Sequence, residues 1–304
     1  MMTIGIIGQG FVGNAVYKKF KQYYDVLTYD LDSTKSNSTK EDLVNKSDVI
    51  FICLPTPMNQ DGTCNVSIVE GVIKEINDLE LDKILVVKST IIPGTTNKFN
   101  NTYMNVSVIF NPEFLTERNA EQDYNSQKRI ILGGPRPATT VLKQVFSKVF
   151  PHADIIKTDS TYAEMVKYMT NTFLSVKVSF ANEMYQICQA LNLDYDKVVE
   201  YSIYDERLGK SHWSVPGPDG DYGFGGHCFP KDLSALICLT NELNTLNKVL
   251  IGAKETNLSV RTDKDWEKMK GEPLYKTLNM SPITFCISTY NNLNYLKIAI
   301  KSIR

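Results

Sequence analysis

The chain opens with an apolar, strand-like run placed directly before three closely spaced glycines. Ile4–Ile7 leads into Gly8-Gln9-Gly10-Phe11-Val12-Gly13, and a helix-like stretch follows. In this spacing the first glycine permits a tight turn, the second lets the backbone approach a pyrophosphate, and the third lets helix and strand pack closely. The helix N-terminus then faces the negative charge. We expect a dinucleotide at five of these residues: Gly8, Gly10, Phe11, Val12 and Gly13.

An acidic residue follows the second strand-like run, Val26–Tyr29. Asp30 stands roughly 20 residues beyond the glycines, where a carboxylate accepts hydrogen bonds from the adenosine ribose and repels a 2′-phosphate. This favours NAD over NADP as the cofactor. Lys35 is a weaker signal in the opposite direction, because a cation near the ribose tolerates a phosphate. We place it at the cofactor as well, with a solvated position in the loop as the alternative.

The pattern of apolar residues divides the chain. Residues 1–157 alternate short β-branched runs with amphipathic stretches, which predicts an α/β fold, a Rossmann-like doubly wound parallel sheet. Residues 158–262 are predicted to form an all-α domain built on one long helix, because Ser160 to Leu191 contain no Pro or Gly and repeat apolar residues at helical spacing. Met165, Met169, Thr172, Val176 and Phe180 fall close to one stripe of that helix. Residues 263–280 are predicted to be a linker.

Composition narrows the possible partners. Lys and Arg total 33 against 34 Asp and Glu, so no basic surface for nucleic acid or a membrane is expected. No apolar run reaches the length of a membrane span, and the N-terminus lacks the charge pattern of a signal peptide. Six cysteines without a CxxC pair, and only three histidines, predict no metal site and a protein of the reducing cytoplasm.

The segment Tyr222–Asp232, with the sequence YGFGGHCFPKD, carries the strongest chemical signal. Its glycines let a ligand lie against the backbone, and Cys228 follows them at the predicted start of a helix, next to Lys231. A thiol in that position is expected to have a lowered pKa and to act as a nucleophile. His227 is a weaker candidate for a general base.

Further polar residues are expected at the same cleft. Lys167 and Asn171 lie four residues apart and share one face of the long helix, where they can hold a sugar hydroxyl. Thr90, Glu113 and Glu117 follow predicted strands, and ligands of doubly wound sheets bind at the carboxyl ends of strands. Either glutamate could instead cap a helix.

Together these segments resemble the UDP-glucose/GDP-mannose dehydrogenase family over about residues 1–260. The matching pieces are the opening glycines, Leu54–Pro57, Lys88–Thr90, Asn111–Glu117, Lys167 with Asn171, and Gly223–Asp232. The family oxidises a sugar C6 alcohol to a carboxylate with two NAD and one water. The resemblance therefore implies conversion of UDP-glucose to UDP-glucuronate through a covalent intermediate on a cysteine.

The resemblance also implies a role for each matching residue. Cys228 would be the nucleophile, Glu113 the general base and Lys167 the stabiliser of the oxyanion, while Asn171 orients the substrate and Asp232 with Thr90 holds a water. Pro55, Thr56, Thr90, Glu117 and Lys231 would touch the cofactor. The expected substrate contacts are Phe114, Leu115, Glu117, Lys167, Asn171, Arg207 (from the neighbouring subunit), Tyr222, Phe224 and Gly225. The long helix would form a homodimer.

The similarity stops near Asp263, before the third domain with which the family grips the nucleotide. Instead, residues 281–304 weakly resemble the first strand of family-2 glycosyltransferases, which suggests a truncated fusion ending in a transferase-like stub. Three alternatives stay open from sequence. They are a GDP-mannose 6-dehydrogenase, a single-step hydroxyacid dehydrogenase that needs no thiol, and an inactive NAD-binding scaffold.

Overall fold

A seven-stranded sheet forms the centre of the N-terminal half. The computed structural model describes residues 2–268, except for the side chains of Glu117 and Lys268. The strands are β1 Thr3–Ile7, β2 Asp25–Tyr29, β3 Val49–Ile52, β4 Lys83–Val87, β5 Val106–Phe110, β6 Arg129–Gly133 and β7 Asp154–Thr158. Their order across the sheet is β2-β1-β3-β4-β5-β6-β7. Every neighbouring pair is parallel except β5 and β6, which meet antiparallel at Phe110 and Gly133.

Helices cover both faces of this sheet. They are α1 Phe11–Phe20, α2 Lys40–Lys46, α3 Ser67–Asn77, α4 Thr95–Thr102, α5 Ala120–Asn125 and α6 Arg136–Val149. On one face Ile6 and Phe51 pack with Phe20 of α1, and on the other Ile52 packs with Ile73 of α3. Alternate strand residues thus fill two separate cores, as expected for strands buried on both sides.

A 31-residue helix, α7 (Ser160–Ala190), follows the sheet directly. Its N-terminus is capped by Asp159, whose side chain accepts a hydrogen bond from the Thr161 N–H at 2.8 Å. The remaining helices are α8 Tyr195–Ser202, α9 Phe229–Glu242, α10 Lys248–Val260 and α11 Asp265–Lys268. Because α7 packs against β5, β6 and α4 as well as against α9 and α10, it holds the strand ends and the later helices in one unit.

The predicted fold class is confirmed, with two differences. The sequence reading did not include β7, and it expected a wholly parallel sheet, whereas β5 and β6 are antiparallel. The connection between β5 and β6 contains only one short helix, α5, whose six residues span about 9 Å, instead of a crossover helix at least as long as the strands, about 16 Å, of the kind that usually joins parallel neighbours. The domain boundary at 157/158 remains a prediction. Most of the predicted linker at 263–280 and all of the stub at 281–304 lie outside the described residues.

Candidate active site and cofactor site

The turn after β1 has the shape that the glycine spacing predicts. Gly8 has φ +93°, and a Cβ there would lie 2.4 Å from the carbonyl oxygen of Cys53. A Cβ on Gly13 would lie 1.9 Å from the carbonyl oxygen of Gly8. A Cβ on Gly10, by contrast, would meet nothing within 4 Å, and α1 starts beside it without a side-chain cap. The first N–H groups of α1, including those of Phe11 and Val12, therefore face open space that suits a pyrophosphate.

Asp30 lies at the end of β2, beside that turn. Its carboxylate accepts hydrogen bonds from the backbone N–H of Gln9 at 2.6 Å and of Asp32 at 2.9 Å. The residue borders a cavity of about 530 Å³ whose wall is formed by Tyr29, Asp30, Leu31, Ser33, Ser36, Ser38, Thr39, Lys40 and Glu41. The carboxylate thus stands between the glycine turn and a cavity of a size suited to the adenosine half of a dinucleotide.

The predicted contact of Lys35 with the cofactor finds no support in this geometry. The Lys35 ammonium lies 3.4 Å from the carboxylate of Asp32, and the cation in the described wall of the cavity is Lys40. Lys40 itself forms an ion pair with Glu75 of α3. The sequence reading missed Lys40 because it lies ten residues beyond Asp30, in the first turn of α2.

The ends of β3 and β4 are joined by side-chain hydrogen bonds. The hydroxyl of Ser89 donates to the Leu54 carbonyl at 2.6 Å and accepts from the Leu54 N–H at 3.0 Å. The buried hydroxyl of Thr56 donates to the carbonyl of Thr90 at 2.8 Å, and Pro55 between them is exposed. These bonds give the two loops one fixed edge beside the glycine turn, where the predicted residues Pro55, Thr56 and Thr90 all lie.

Lys167 and Glu113 form a buried ion pair between α7 and the end of β5. The Lys167 ammonium donates to the Glu113 carbonyl oxygen at 2.6 Å and to its carboxylate at 2.8 Å. Burial lowers the pKa of Lys167, but the negative charges of Glu113, Asp232 and Cys228 outweigh it, so the pKa lies above its ordinary value. Lys167 is therefore a fixed cation at neutral pH.

A second polar cluster lies one turn further along α7. The amide of Asn171 donates to the carboxylate of Asp232 at 2.7 Å, and the ammonium of Lys231 donates to its other oxygen. Asp232 and Asn171 are buried. The nearby charge of Asp232 raises the pKa of Lys231, despite the burial that lowers it, and keeps this second cation protonated. The predicted catalytic residues of α7 and α9 thus come together in one place.

Cys228 caps the N-terminus of α9 and lies among these charges. Burial raises the pKa of its thiol to about 11, and Glu113 and Asp232 add to the rise while Lys167 and Lys231 oppose it. The predicted lowering of this pKa is therefore wrong. Burial removes water from the thiolate, and the two carboxylates cancel much of the benefit of the two cations. The resting group is a thiol whose proton must leave when a bond to sulfur forms.

The strand edge and α9 lie side by side at Cys64, which the sequence reading did not single out. Its sulfur lies 3.5 Å from the carbonyl oxygen of Thr90. Burial raises the pKa of Cys64, and the charges of Lys231 and Asp232 also act on it. The geometry therefore places Thr90 next to the Asp232 cluster, although its hydroxyl is not aimed at Asp232 by any contact within the described residues.

The glycine-rich loop before Cys228 is held through its backbone. The buried amide of Asn257 accepts from the Phe224 N–H at 2.7 Å and donates to the Phe224 carbonyl at 3.0 Å. The Gly223 N–H donates to Asn182 of α7 at 3.1 Å. Gly225 packs so closely that a Cβ would lie 2.2 Å from the guanidinium of Arg261. The close approach explains the glycine there. Asn257 and Arg261 hold this loop in place, and the sequence analysis did not identify either of them.

The other predicted substrate residues are more dispersed. Phe114 is half-buried with its ring 5.6 Å from the Lys167 ammonium, and the Leu115 N–H donates to the carboxylate of Glu113 at 2.8 Å. Tyr222 lies at the surface of the loop, against Tyr185. His227, the candidate base, is exposed. The side chain of Glu117 is outside the described residues.

Arg207 lies apart from the cluster within its own chain. It is on a short 3₁₀ turn, Glu206–Leu208, with 88% of its side chain exposed and its guanidinium paired with Asp205. A role at a neighbouring subunit, as the resemblance implies, is compatible with that exposure but has no contact in this structure.

Two buried charged groups lie behind the cluster without having been predicted. Lys88 follows β4 and donates to Asn111, and Glu164 of α7 accepts hydrogen bonds from the N–H groups of Gly94 and Thr96 at the start of α4. The sequence contained a signal for each of them. Lys88 is a lone charged residue directly after an apolar strand, and Glu164 is a charged residue one helical turn before Lys167.

The described residues fit a dinucleotide in a further respect. The side-chain nitrogen of Gln9, within the glycine turn, is buried and has no hydrogen-bond partner in the part of the chain that the structure describes. A buried donor without a partner costs about 1–3 kcal/mol, so a ligand that accepts from it would relieve a real penalty. Together with the open space at Gly10, this supports a bound dinucleotide at the turn.

Comparison with known proteins also indicates a domain that binds a dinucleotide. Residues 35–154 match the NAD binding domain of the UDP-glucose/GDP-mannose dehydrogenase family, and residues 161–259 match its central domain. The chain belongs to this family. The cofactor expectation is thereby confirmed, since the matched domain of the UDP-glucose/GDP-mannose dehydrogenases is the one that binds NAD.

Individual relatives in the family act on different sugars. A UDP-glucose 6-dehydrogenase of Bacillus subtilis is 30% identical over 84% of this chain and 63% of its own length. A GDP-mannose 6-dehydrogenase of Pseudomonas savastanoi pv. phaseolicola is 29% identical over 85% and 68%. The solved UDP-glucose dehydrogenase of Pyrobaculum islandicum superposes with a TM-score of 0.76, at 27% identity over 85% and 68%. The chain thus spans roughly two thirds of the length of these relatives.

Two absences concern the described residues alone. Among residues 2–268, no helix is both long and apolar enough to cross a membrane. The same residues contain no group of three or more His, Cys, Asp or Glu side chains arranged to hold a metal ion. The site described above consists of charged and polar side chains around the thiol of Cys228, with a second thiol, Cys64, at its edge.

Proposed function

We propose that the chain catalyses the NAD-dependent oxidation of a nucleotide-sugar C6 alcohol to the uronic acid, with UDP-glucose as substrate and UDP-glucuronate as product. The observation that carries the proposal is the position of Cys228, which lies within the electrostatic reach of Lys167, Glu113 and Asp232. A hydride transfer alone needs a cation and a base. A thiol in the same buried cluster is needed only when the aldehyde must be oxidised further.

NAD, held by the glycine turn and Asp30, would supply the acceptor for the hydride that leaves C6 in each of the two oxidations. Lys167, held protonated by the charges around it, stabilises the negative charge that develops on the C6 oxygen. Glu113 takes the alcohol proton, because its carboxylate lies beside that ammonium. Asn171, whose amide is fixed on Asp232, orients the sugar from the next turn of the same helix.

The aldehyde then reacts with Cys228. The C–S bond forms as the C=O π bond breaks, and the thiol proton ends on the former aldehyde oxygen, giving a thiohemiacetal. Glu113 releases the first proton to solvent and then takes the hydroxyl proton of the thiohemiacetal, while the second hydride leaves C6, giving a thioester. Water held by Asp232 and Thr90 adds to the carbonyl carbon. The C–S bond breaks, the sulfur takes back a proton, and the carboxylate is released with one proton.

The raised pKa of Cys228 suits this sequence. A thiol that stays protonated near neutral pH does not form a persistent thiolate next to the anionic substrate. It releases its proton only as the bond to carbon forms, when the oxygen that accepts it lies against Lys167. The buried cluster thus supplies the nucleophile, Cys228, and the cation, Lys167, that stabilises the substrate oxygen as it receives the proton.

We further propose a homodimer through α7 and a cytoplasmic location. Tyr162, Met165, Met169 and Phe173 recur three or four residues apart along α7 and have 71%, 41%, 68% and 66% of their surface exposed. An apolar stripe of this kind on a helix is typical of an interface. The five described cysteines are free thiols, which suits a reducing compartment.

The test is NADH formation by the purified chain with NAD and UDP-glucose, with GDP-mannose in parallel. The proposal expects two NADH per UDP-glucose and loss of turnover in Cys228→Ala. One NADH per sugar, with activity kept in Cys228→Ser, would identify a single-step dehydrogenase instead. Faster turnover of GDP-mannose would reassign the substrate, for which the 29% identical relative gives a reason. NAD binding without turnover of either sugar would indicate a scaffold.

A further inference from the structure

Lys88 is a buried lysine that the proposed reaction does not use. It follows β4 and is 3% exposed. Its ammonium donates to the side-chain oxygen of Asn111 at 2.7 Å and to the Asn111 carbonyl at 3.3 Å, and it lies 5.5 Å from the centre of the Tyr124 ring. Within the described residues it forms no ion pair. A buried cation held by neutral oxygens alone is expensive for a fold, and such groups concentrate at functional sites.

Asn111 connects this cation to three strands. Its N–H donates to the Val87 carbonyl of β4 at 2.9 Å, and its side-chain nitrogen donates to the Ile131 carbonyl of β6 at 2.8 Å. The remaining acceptor positions of Asn111 are those that Lys88 fills. Lys88 therefore completes a clamp that fixes the end of β5 between both of its neighbours.

The clamped residue lies two positions before Glu113. That short distance leaves only Pro112, with a fixed φ, between the clamp and the Glu113 backbone. The Glu113 carbonyl and carboxylate must both face inwards to accept from Lys167. Rotation of the Asn111 peptide would turn that carbonyl away from the ammonium.

We propose that Lys88 is a positioning residue for this reaction, holding the Asn111–Glu113 turn so that Glu113 meets Lys167 and Cys228. The inference rests on the proposed function for its catalytic meaning. The geometry itself does not depend on the sugar. It consists of the Lys88 ammonium, the Asn111 amide that it contacts, and the Glu113 carboxylate two residues further on.

The charges around Lys88 agree with this arrangement. Burial lowers the pKa of Lys88 to about 8, with Cys53 after β3 and Glu113 after β5 opposing the fall and Lys167 on α7 adding to it. The uncharged ring of Tyr124 closes the remaining side. Lys88 is thus close enough to the Glu113–Lys167 pair to interact with both electrostatically.

The test uses the alkylation of Cys228 by iodoacetamide as a function of pH, read at the Cys228 peptide by mass spectrometry. Glu113 raises the pKa of Cys228, so a turn that lets Glu113 swing away lowers the pH at which the thiol reacts. Lys88→Met is expected to lower that midpoint by about one pH unit. Glu113→Gln should lower it as well, and the double variant no further than Glu113→Gln alone.

Lys83→Met is the matched control, since Lys83 starts the same strand and, within residues 2–268, its ammonium donates only to the carbonyls of Asn45 and Ser47. It should leave the midpoint unchanged. In turnover assays Lys88→Met is expected to lower kcat by about 100-fold, as for a catalytic group misplaced by about 1 Å, while the Kd for NAD changes less than twofold.

A wild-type midpoint in Lys88→Met, or shifts that add in the double variant, would overturn the inference. If Lys88→Met does not fold, Asn111→Ala removes the other half of the clamp and must give the same shift. The alkylation needs no sugar. If the wild-type chain produces no NADH, the proposed function is refuted, and the alkylation midpoints still decide whether Lys88 positions Glu113.

Discussion

The ammonium of Lys167 contacts Glu113 twice, at its carbonyl oxygen and at its carboxylate, and so couples α7 to the end of β5 through one buried charge. Removal of either partner leaves the other charge buried and unpaired, which typically costs about 3–5 kcal/mol. The pair is structural and, under the proposed function, also chemical, so variants must separate these two contributions.

Lys167→Met should abolish turnover and also lower stability, whereas the double change Lys167→Met with Glu113→Gln should recover most of the stability and none of the turnover. The reason is that the double variant contains no unpaired buried charge but has no oxyanion stabiliser. Urea unfolding with NADH assays on the same samples checks this. Recovery of activity together with stability would contradict a chemical role.

Lys88 should make stability depend on alkaline pH. Its folded pKa of about 8 lies below the ordinary 10.5, so between these values the unfolded chain binds more protons than the folded one. The free energy of unfolding then rises with pH, by roughly 3 kcal/mol across the window relative to Lys88→Met. Urea titrations of both proteins at pH 7.5 and pH 10.5 measure the difference. A constant gap between them would show that Lys88 titrates normally.

Asp30 should decide between the two nicotinamide cofactors. Asp30→Asn keeps the size of the side chain but removes the charge that repels a 2′-phosphate, so NADPH affinity should rise and NADH affinity fall by about tenfold. Fluorescence titration with both nucleotides gives the ratio. Asp32→Asn is the control, because Asp32 caps the neighbouring 3₁₀ turn through Thr34. If both changes alter the NADPH and NADH affinities equally, cofactor selectivity would depend on the total negative charge of this region and not on Asp30 in particular.

Asn257 should be required for the shape of the loop before Cys228. Asn257→Ala leaves the buried N–H and carbonyl of Phe224 without their partners, at a cost of about 1–3 kcal/mol for each group. Faster proteolysis within residues 214–226 and lower stability are expected. Asn241→Ala, on the exposed side of α9, should change neither. Normal protease resistance of Asn257→Ala would mean that the glycines alone fix the loop.

The apolar stripe on α7 should hold two copies together. Met169→Glu with Phe173→Glu places two charges in the middle of the stripe and should convert the proposed dimer to a monomer, measured by light scattering at micromolar concentration. Leu246→Glu is the control, because Leu246 is 85% exposed at the turn between α9 and α10. A wild-type monomer, or a dimer that survives both charges, would place the interface elsewhere.

Sequence predicts well those features that a local pattern encodes. The glycine turn, the alternation of strands and helices, and α7 depend on short-range periodicity and steric rules, and the spacing of Lys167 and Asn171 follows from helical geometry. The gathering of Cys228 with Glu113 could be expected only through the resemblance to a family, because the two residues are separated by more than a hundred positions.

The burial of a side chain and the charges around it could not be predicted from the sequence. The prediction of a lowered pKa for Cys228 considered the nearby Lys231 and the helix end, and not the burial of the thiol or the carboxylates of Glu113 after β5 and Asp232 on α9. The sequence analysis assigned no role to Lys88, because its partner Asn111 follows a different strand, β5, and their contact is not visible in the sequence. Likewise β7 has mostly exposed residues, so it carries little of the apolar signal that marks the other strands.

Lys167 and Asn171 project from consecutive turns of a single helix, so their separation along its axis is set at about 6 Å by the pitch. No loop motion can alter that interval. The helix thus fixes the spacing between two side chains that are proposed to contact the sugar. Under the proposed function, a substrate would have to present its reacting oxygen and a neighbouring hydroxyl at that spacing. Part of the selectivity for the sugar ring would then be fixed by the geometry of one helix.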